Sequence, residues 1–172
     1  SFSEDTRQSL RFGLDFKRSD NNLEFGGTPV TDNITDVVQL GVGWQWDSLD
    51  AYGQTSLNAR LVYSPGGINA RNDDEVFAES RWGASADYYY ARIDVQRHTT
   101  LPSKFAWNLK AVLQQSSDNL LGSEQLGLTG SGSVRGFREN ALYADEGLLL
   151  RNELLLPPLS LLEHGWHDGS SE

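Results

Sequence analysis

Val38-Gln39-Leu40-Gly41-Val42-Gly43-Trp44-Gln45-Trp46 places a large apolar residue at every even position and glutamine or glycine at every odd one. A period of two sorts residues onto opposite faces only in an extended strand, so this stretch reads as a strand with one apolar and one polar face. The same pattern extends in both directions. Upstream, Leu10, Phe12, Leu14 and Phe16 alternate with Arg11, Asp15 and Lys17; downstream, Leu57, Ala59, Leu61 and Tyr63 alternate with Ser56, Asn58 and Arg60. Tyr89, Ala91, Ile93 and Val95 then face away from Tyr88, Tyr90, Arg92, Asp94 and Gln96. Phe105, Trp107, Leu109, Ala111 and Leu113 face away from Asn108, Lys110 and Gln114. A sixth strand sets Leu148, Leu150, Asn152, Leu154 and Leu156 against Leu149, Arg151 and Glu153. It stops at Pro157-Pro158, because proline cannot continue a central ladder.

The connections alternate in length. Asp20 to Asn33 is a polar link, Asp47 to Asp50 a short one, and Ser64 to Trp82 a long charged stretch expected to be an exposed loop. Leu101-Pro102-Ser103 is a tight turn, and Ser116 to Asp145 is the longest connection. Long outer loops alternating with short periplasmic turns are the pattern of an outer-membrane barrel. Strands of roughly 10 to 14 residues suit a tilted membrane crossing and are about twice as long as the ~5 to 6 of soluble sheets. Trp44, Trp46, Tyr63, Phe105 and Trp107 lie near the strand ends, where aromatic girdles belong. The competing reading packs these aromatics in the core of a soluble β-sandwich or lipocalin-like barrel. The charged opposite face and the loop lengths count against it. The expected fold is all-β, an antiparallel transmembrane β-barrel.

Composition agrees by exclusion. The 172 residues carry a formal net charge of −10, the wrong sign for a nucleic-acid footprint, and no cysteine for thiolate chemistry. A mean hydropathy of −0.48 looks soluble, but alternation hides a lipid-facing band. There is no run of eighteen apolar residues and no basic, apolar leader at Ser1-Phe2-Ser3. No nucleophile elbow, phosphate-binding loop or dinucleotide fingerprint is present, and His164 and His167 lie in a polar tail without further ligands in register. The chain is therefore expected to be no enzyme and to hold no metal or cofactor.

The stretch Leu128-Thr129-Gly130-Ser131-Gly132-Ser133-Val134-Arg135-Gly136-Phe137-Arg138-Glu139 interrupts the strands. Its glycines permit close backbone approach, which suits a tip folded into a narrow space. The fixed donor fork of Arg135 suits a carboxylate. Arg11 with Asp15, Arg92 with Asp94 and Arg151 with Glu153 put opposite charges on one face at spacings of two or four, as a wet interior would.

Taken together, Leu120-Leu121-Gly122-Ser123-Glu124-Gln125-Leu126, Gly130 to Ser133, Val134-Arg135-Gly136-Phe137, Glu146-Gly147 and Arg151-Asn152-Glu153-Leu154 resemble the C-terminal half of two-partner secretion transporters of the FhaC and ShlB type. These belong with BamA and TamA to the superfamily of POTRA-bearing outer-membrane barrels. The resemblance is specific over Gln114 to Pro157 and diffuse before it. It implies a sixteen-stranded barrel whose sixth outer loop returns into the lumen, with Val134, Arg135, Gly136 and Phe137 as the functional motif and Arg135 as its anchor. The family's acidic partner sits in a Phe-x-Asp-x-Gly motif on the following strand, of which Trp166-His167-Asp168-Gly169 is a degenerate version. Asp168 and the nearer Glu153 are thus the candidate partners of Arg135.

Six strands cannot close such a barrel, and an open edge cannot face lipid. Residues 1–172 are therefore expected to be a portion of the barrel domain, with the POTRA domains outside this chain. The implied activity is export of an unfolded exoprotein of haemolysin or adhesin type across the bacterial outer membrane. Its expected partners are that exoprotein and outer-membrane lipid, with neither nucleic acid nor nucleotide involved. Arg11, Asp15, Arg60, Arg92, Asp94, Lys110 and Arg151 would face the lumen. The alternatives are a barrel-assembly factor of the BamA or TamA type, ranked lower because the residues after Phe137 are similar to the secretion branch, and a soluble β-barrel or sandwich binding module.

Overall fold

A computed structural model describes residues 5–25, 28–128 and 142–157. Val134, Arg135, Gly136, Phe137 and Asp168 lie outside the described residues. In chain order the elements are β1 (Asp5–Phe25), β2 (Thr28–Asp50), β3 (Gly53–Pro65), α1 (Asp74–Ser80), β4 (Asp87–Thr100), β5 (Ala106–Ser116), β6 (Leu126–Gly127), β7 (Tyr143–Ala144) and β8 (Gly147–Leu155). The long strands form one six-stranded sheet in the order β1-β2-β3-β4-β5-β8, and every neighbouring pair is antiparallel. The short β6 and β7 pair only with each other, as a ribbon inside the β5–β8 connection.

The register carries each alternation pattern across the whole sheet. Leu10 lies opposite Trp44, Trp44 opposite Ala59, Ala59 opposite Ile93, Ile93 opposite Leu113 and Leu113 opposite Leu148. One residue along, Arg11, Gly43, Arg60, Arg92, Gln114 and Gly147 form the matching row on the other face. A slip of one residue at any pairing would move charge into the apolar row, so the pattern itself fixes the register.

The apolar face is bare. Phe12 is 75 % exposed and Leu14 70 %, and Leu40, Leu61, Tyr89, Leu148 and Leu154 are also exposed. The buried residues belong to the opposite face and what covers it. Val37, Val62, Tyr88 and Tyr90 of the strands pack with Phe77 of α1 and with Leu120 and Leu121. Val112 and Leu149 pack with Leu126, and Leu128 lies against them.

Two connections differ from the expected outline. The β1–β2 hairpin keeps pairing to Phe25 opposite Thr28, well into the expected polar link. Backbone pairing needs no apolar face, so the ladder outlasts the alternation. The Ser64–Trp82 stretch is not simply an exposed loop, because it folds into α1 with Asp73 as N-cap, whose carboxylate accepts the Glu75 N–H at 3.1 Å. Asp74 and Glu75 suit the positive end of the helix, and Phe77 anchors it by complete burial.

At the other end of the sheet the turns are tight. Asp50 accepts the N–H groups of Tyr52 at 2.8 Å and Gly53 at 3.0 Å, closing the β2–β3 hairpin. Position 53 admits only glycine, since a Cβ there would lie 1.9 Å from the His98 carbonyl oxygen.

Candidate functional site

The site is the polar face of the sheet together with the two arms of the long connection that lie across it. Gln114 of β5 holds both arms. Its Nε2 donates to the Glu124 carbonyl at 3.2 Å and to the Asp145 carbonyl at 3.1 Å. The Leu128 N–H donates to Leu142 O at 2.9 Å, extending the β6–β7 ribbon, and Leu126 seals the ribbon onto Val112 and Leu149. Val112, Gln114 and Leu149 all sit on the polar face, so the connection folds over that face rather than away from it.

The first arm reaches the far side of the sheet through Glu124. Its side chain is only 2 % exposed and pairs with Lys17 of β1 at 2.7 Å. Tyr90 donates its hydroxyl to the same carboxylate at 3.1 Å, and Ser123 donates at 3.0 Å. A buried carboxylate left without donors would cost several kcal/mol, roughly, so these contacts decide where the arm rests.

The second arm is fastened by Asp145. Arg81, which follows α1, donates Nη1 and Nη2 to its two oxygens at 2.6 and 2.7 Å. The Leu120 N–H at 2.9 Å and Gln125 Nε2 at 3.1 Å add to one of these oxygens. Burial opposes ionisation of Asp145, but the bonds from Arg81, Leu120 and Gln125 outweigh it and hold its carboxyl below the usual range. Asp74 is also held low, chiefly by the Ala86 N–H at 2.7 Å, with Ser85 assisting at 2.9 Å.

Beneath the arms lies a cavity of about 670 Å³ lined by Arg11, Lys17, Arg60, Arg92, Asp94 and Glu124, among others. Its wall is charged but largely self-paired. Arg60 meets Asp15 at 2.9 Å, Arg92 meets Asp94 at 3.1 Å, and Arg11 donates to Gln45 at 3.0 Å. The expected pairing of Arg11 with Asp15 is replaced by two cross-strand contacts. Arg11 turns to Gln45 on the neighbouring strand, while Arg60, in the row of Arg11 but two strands away, reaches Asp15 diagonally with its long side chain. Arg60 crosses β2 over Gly41, where even a Cβ would lie 3.7 Å from its Nη2, in ordinary contact.

Arg11, Asp15, Arg60, Arg92, Asp94, Lys110 and Arg151 therefore share the covered face, as their alternation requires. Arg151 pairs with Glu153 at 2.9 Å, beside Lys110 and away from the Glu124 end of the sheet. Glu153 thus already engages an arginine of its own strand. The residues that sequence reasoning missed are Lys17, Arg81, Glu124 and Asp145. Ser123-Glu124-Gln125 was visible as a marker run, but nothing local says that Glu124 reaches β1.

Residues 2–167 match the family described as Haemolysin secretion/activation protein ShlB/FhaC/HecB. The chain belongs to this ShlB/FhaC/HecB family. It is similar to the outer membrane transporter CdiB of Dickeya dadantii (strain 3937), with 32 % identity over 159 residues that cover 89 % of this chain and 27 % of that protein. It is also similar to the hemolysin transporter protein HpmB of Proteus mirabilis, with 35 % identity over 80 residues covering 44 % of this chain and 14 % of that one. The solved structure of CdiB from Escherichia coli superposes with a TM-score of 0.68 at 22 % identity, over 87 % of this chain and 27 % of that one. The chain thus spans about a quarter of the length of the CdiB relatives.

For a ShlB/FhaC/HecB member the bare apolar face has a direct meaning. The fold is that of an antiparallel outer-membrane β-barrel, whose outer side carries such an apolar face, and the chain's place is the bacterial outer membrane. A soluble module would bury Phe12 and Leu14 rather than leave them bare. The family that matches is the secretion family.

Proposed function

We propose that this chain forms an arc of the wall of a two-partner secretion transporter. In this reading its polar face lines the lumen, and an unfolded exoprotein of haemolysin or adhesin type leaves the cell across it. The POTRA domains and the remaining strands belong to other parts of the protein. The observation that carries the reading is the covered polar face: Arg60, paired with Asp15 across β2, and Arg92 and Asp94, paired along β4, line a 670 Å³ cavity under a connection folded back over them. Self-paired charges offer an extended polypeptide a polar wall that grips it weakly, which favours passage over binding. The energy of export comes from outside the barrel, and no covalent or nucleotide-driven step is part of this function.

Arg135 anchors the tip of the long loop in this reading, with Asp168 or Glu153 as its acidic partner. A buried guanidinium needs such an acceptor. The test is Arg135→Ala in the complete natural protein: secretion of the exoprotein is expected to fall sharply while the barrel still inserts and keeps its heat-modifiable gel mobility. Normal secretion by this variant would remove the assigned role. Lost insertion of other outer-membrane barrels on deletion of the protein would instead favour an assembly function.

A further inference from the structure

The long connection is fastened at its root, independently of its tip. Two carboxylates do this, one on each arm, and they use cations from distant parts of the chain. Glu124 crosses the polar face to Lys17, 107 residues away in sequence, and Asp145 takes both Nη groups of Arg81, 64 residues away. Gln114 ties the arms together between them through the carbonyls of the same two residues. Glu124 and Asp145 thus each make one backbone contact to the wall and one charged contact elsewhere. That is more fixing than a connection needs merely to join β5 to β8.

We propose that Glu124 and Asp145 are positioning residues that hold the two loop arms across the lumen, Glu124 by its bond to Lys17 on β1 and Asp145 by its fork to Arg81 beyond α1. Charge-assisted bonds of this kind are among the stronger ones, and Glu124 is almost fully shielded from water. Lys17, at 44 % exposure, is the yielding end of its pair, so release begins there. Lys17 belongs to β1 and Arg81 to the α1 connection, so the arms couple the rest of the lumen wall and its outer cap to the loop root. The inference rests on the lumen reading but not on export.

The test uses the complete natural protein in lipid bilayers with no exoprotein present. Open-channel conductance is recorded together with amide hydrogen exchange over Leu120–Leu128, whose Leu120, Glu124 and Leu128 N–H groups are bonded in the held state. Glu124→Gln, Lys17→Gln and Asp145→Asn are each expected to raise exchange in this segment by about tenfold or more, the size of one charge-assisted bond, and to lengthen the open state. The double variant Lys17→Glu with Glu124→Lys is expected to return both readouts towards those of the natural protein, which a role in folding alone would not produce. Should Glu124→Gln fail to insert, Lys17→Gln decides, because its side chain lies at the solvated end. Unchanged exchange and conductance in the single variants, or a swap as open as either of them, would overturn the proposal. Secretion of the exoprotein that continues unchanged when the protein is deleted would count against the export reading alone and leave these readouts untouched.

Discussion

The two faces of this sheet use the same strands to opposite ends. On the outer face, Leu10, Trp44, Ala59, Ile93, Leu113 and Leu148 form a row that the described residues leave uncovered, as suits a face turned to lipid. On the inner face the chain supplies its own partners. Charged residues pair along the wall, and close packing appears only where α1 and the loop arms settle on Val37, Val62, Tyr88 and Tyr90. Among the described residues the packed core thus lies where a plug made of α1 and the loop arms meets the polar face of the strands. Substitutions should therefore behave differently on the two sides.

The largest effect is expected in the plug. Phe77→Ala removes a fully buried ring and should cost about 3–5 kcal/mol of local stability. The loss should appear as faster proteolysis of the connection between β3 and β4, with the strands still resistant. If the strands melted together with α1, the two regions would not be separate units. Next comes the outer face, where Phe12→Arg should cost about 2–4 kcal/mol in the folding equilibrium from urea into bilayers. The comparable change on the inner face, Asp94→Ala, should cost about 0–1 kcal/mol, because Arg92 is left in a wet, half-exposed setting. Equal costs on the two faces would erase the distinction.

Acid gives a finer probe. Asp145 has its folded pKa lowered, so its contribution is fully present above the ordinary carboxylate pKa of about 4 and is lost as pH falls through the lower folded value. Amide exchange at Leu120, whose N–H donates to Asp145, should therefore show no loosening of this contact between pH 8 and about pH 5, and should rise only below the ordinary carboxylate pKa. Loosening near neutrality would assign the contact to another group.

The outer face was the more legible of the two. A period of two in Val38–Trp46 and its five counterparts was enough to place the six strands of the sheet, though not the short β6 and β7, and to pick out the apolar face. Leu14 could be assigned without knowing what lies beside it. The inner face depends on neighbours that alternation does not name. Asp15 finds Arg60 of β3 rather than Arg11 of its own strand, a diagonal reach across β2 that alternation along one strand does not name. Seven residues of α1 are too few to show a helical period, so Phe77 looked like part of an exposed loop. Glu124 and Asp145 were likewise hidden, since their partners Lys17 and Arg81 lie far away in sequence. Resemblance to a family directed attention to the tip at Arg135, whereas the described residues place their ion pairs at the loop's root.

Alternation of environment along β1 tests the division of faces most directly. Spin labels placed one at a time at Phe12, Gly13, Leu14 and Asp15 of the complete natural protein in bilayers can be read for collisions with oxygen, which dissolves in lipid, and with a water-soluble nickel chelate. Positions 12 and 14 should favour oxygen and positions 13 and 15 the chelate, with the preference reversing at every step. A uniform preference along the four positions, or the chelate reaching 12 and 14 as readily as 13 and 15, would contradict a lipid-facing outer row around a watery lumen.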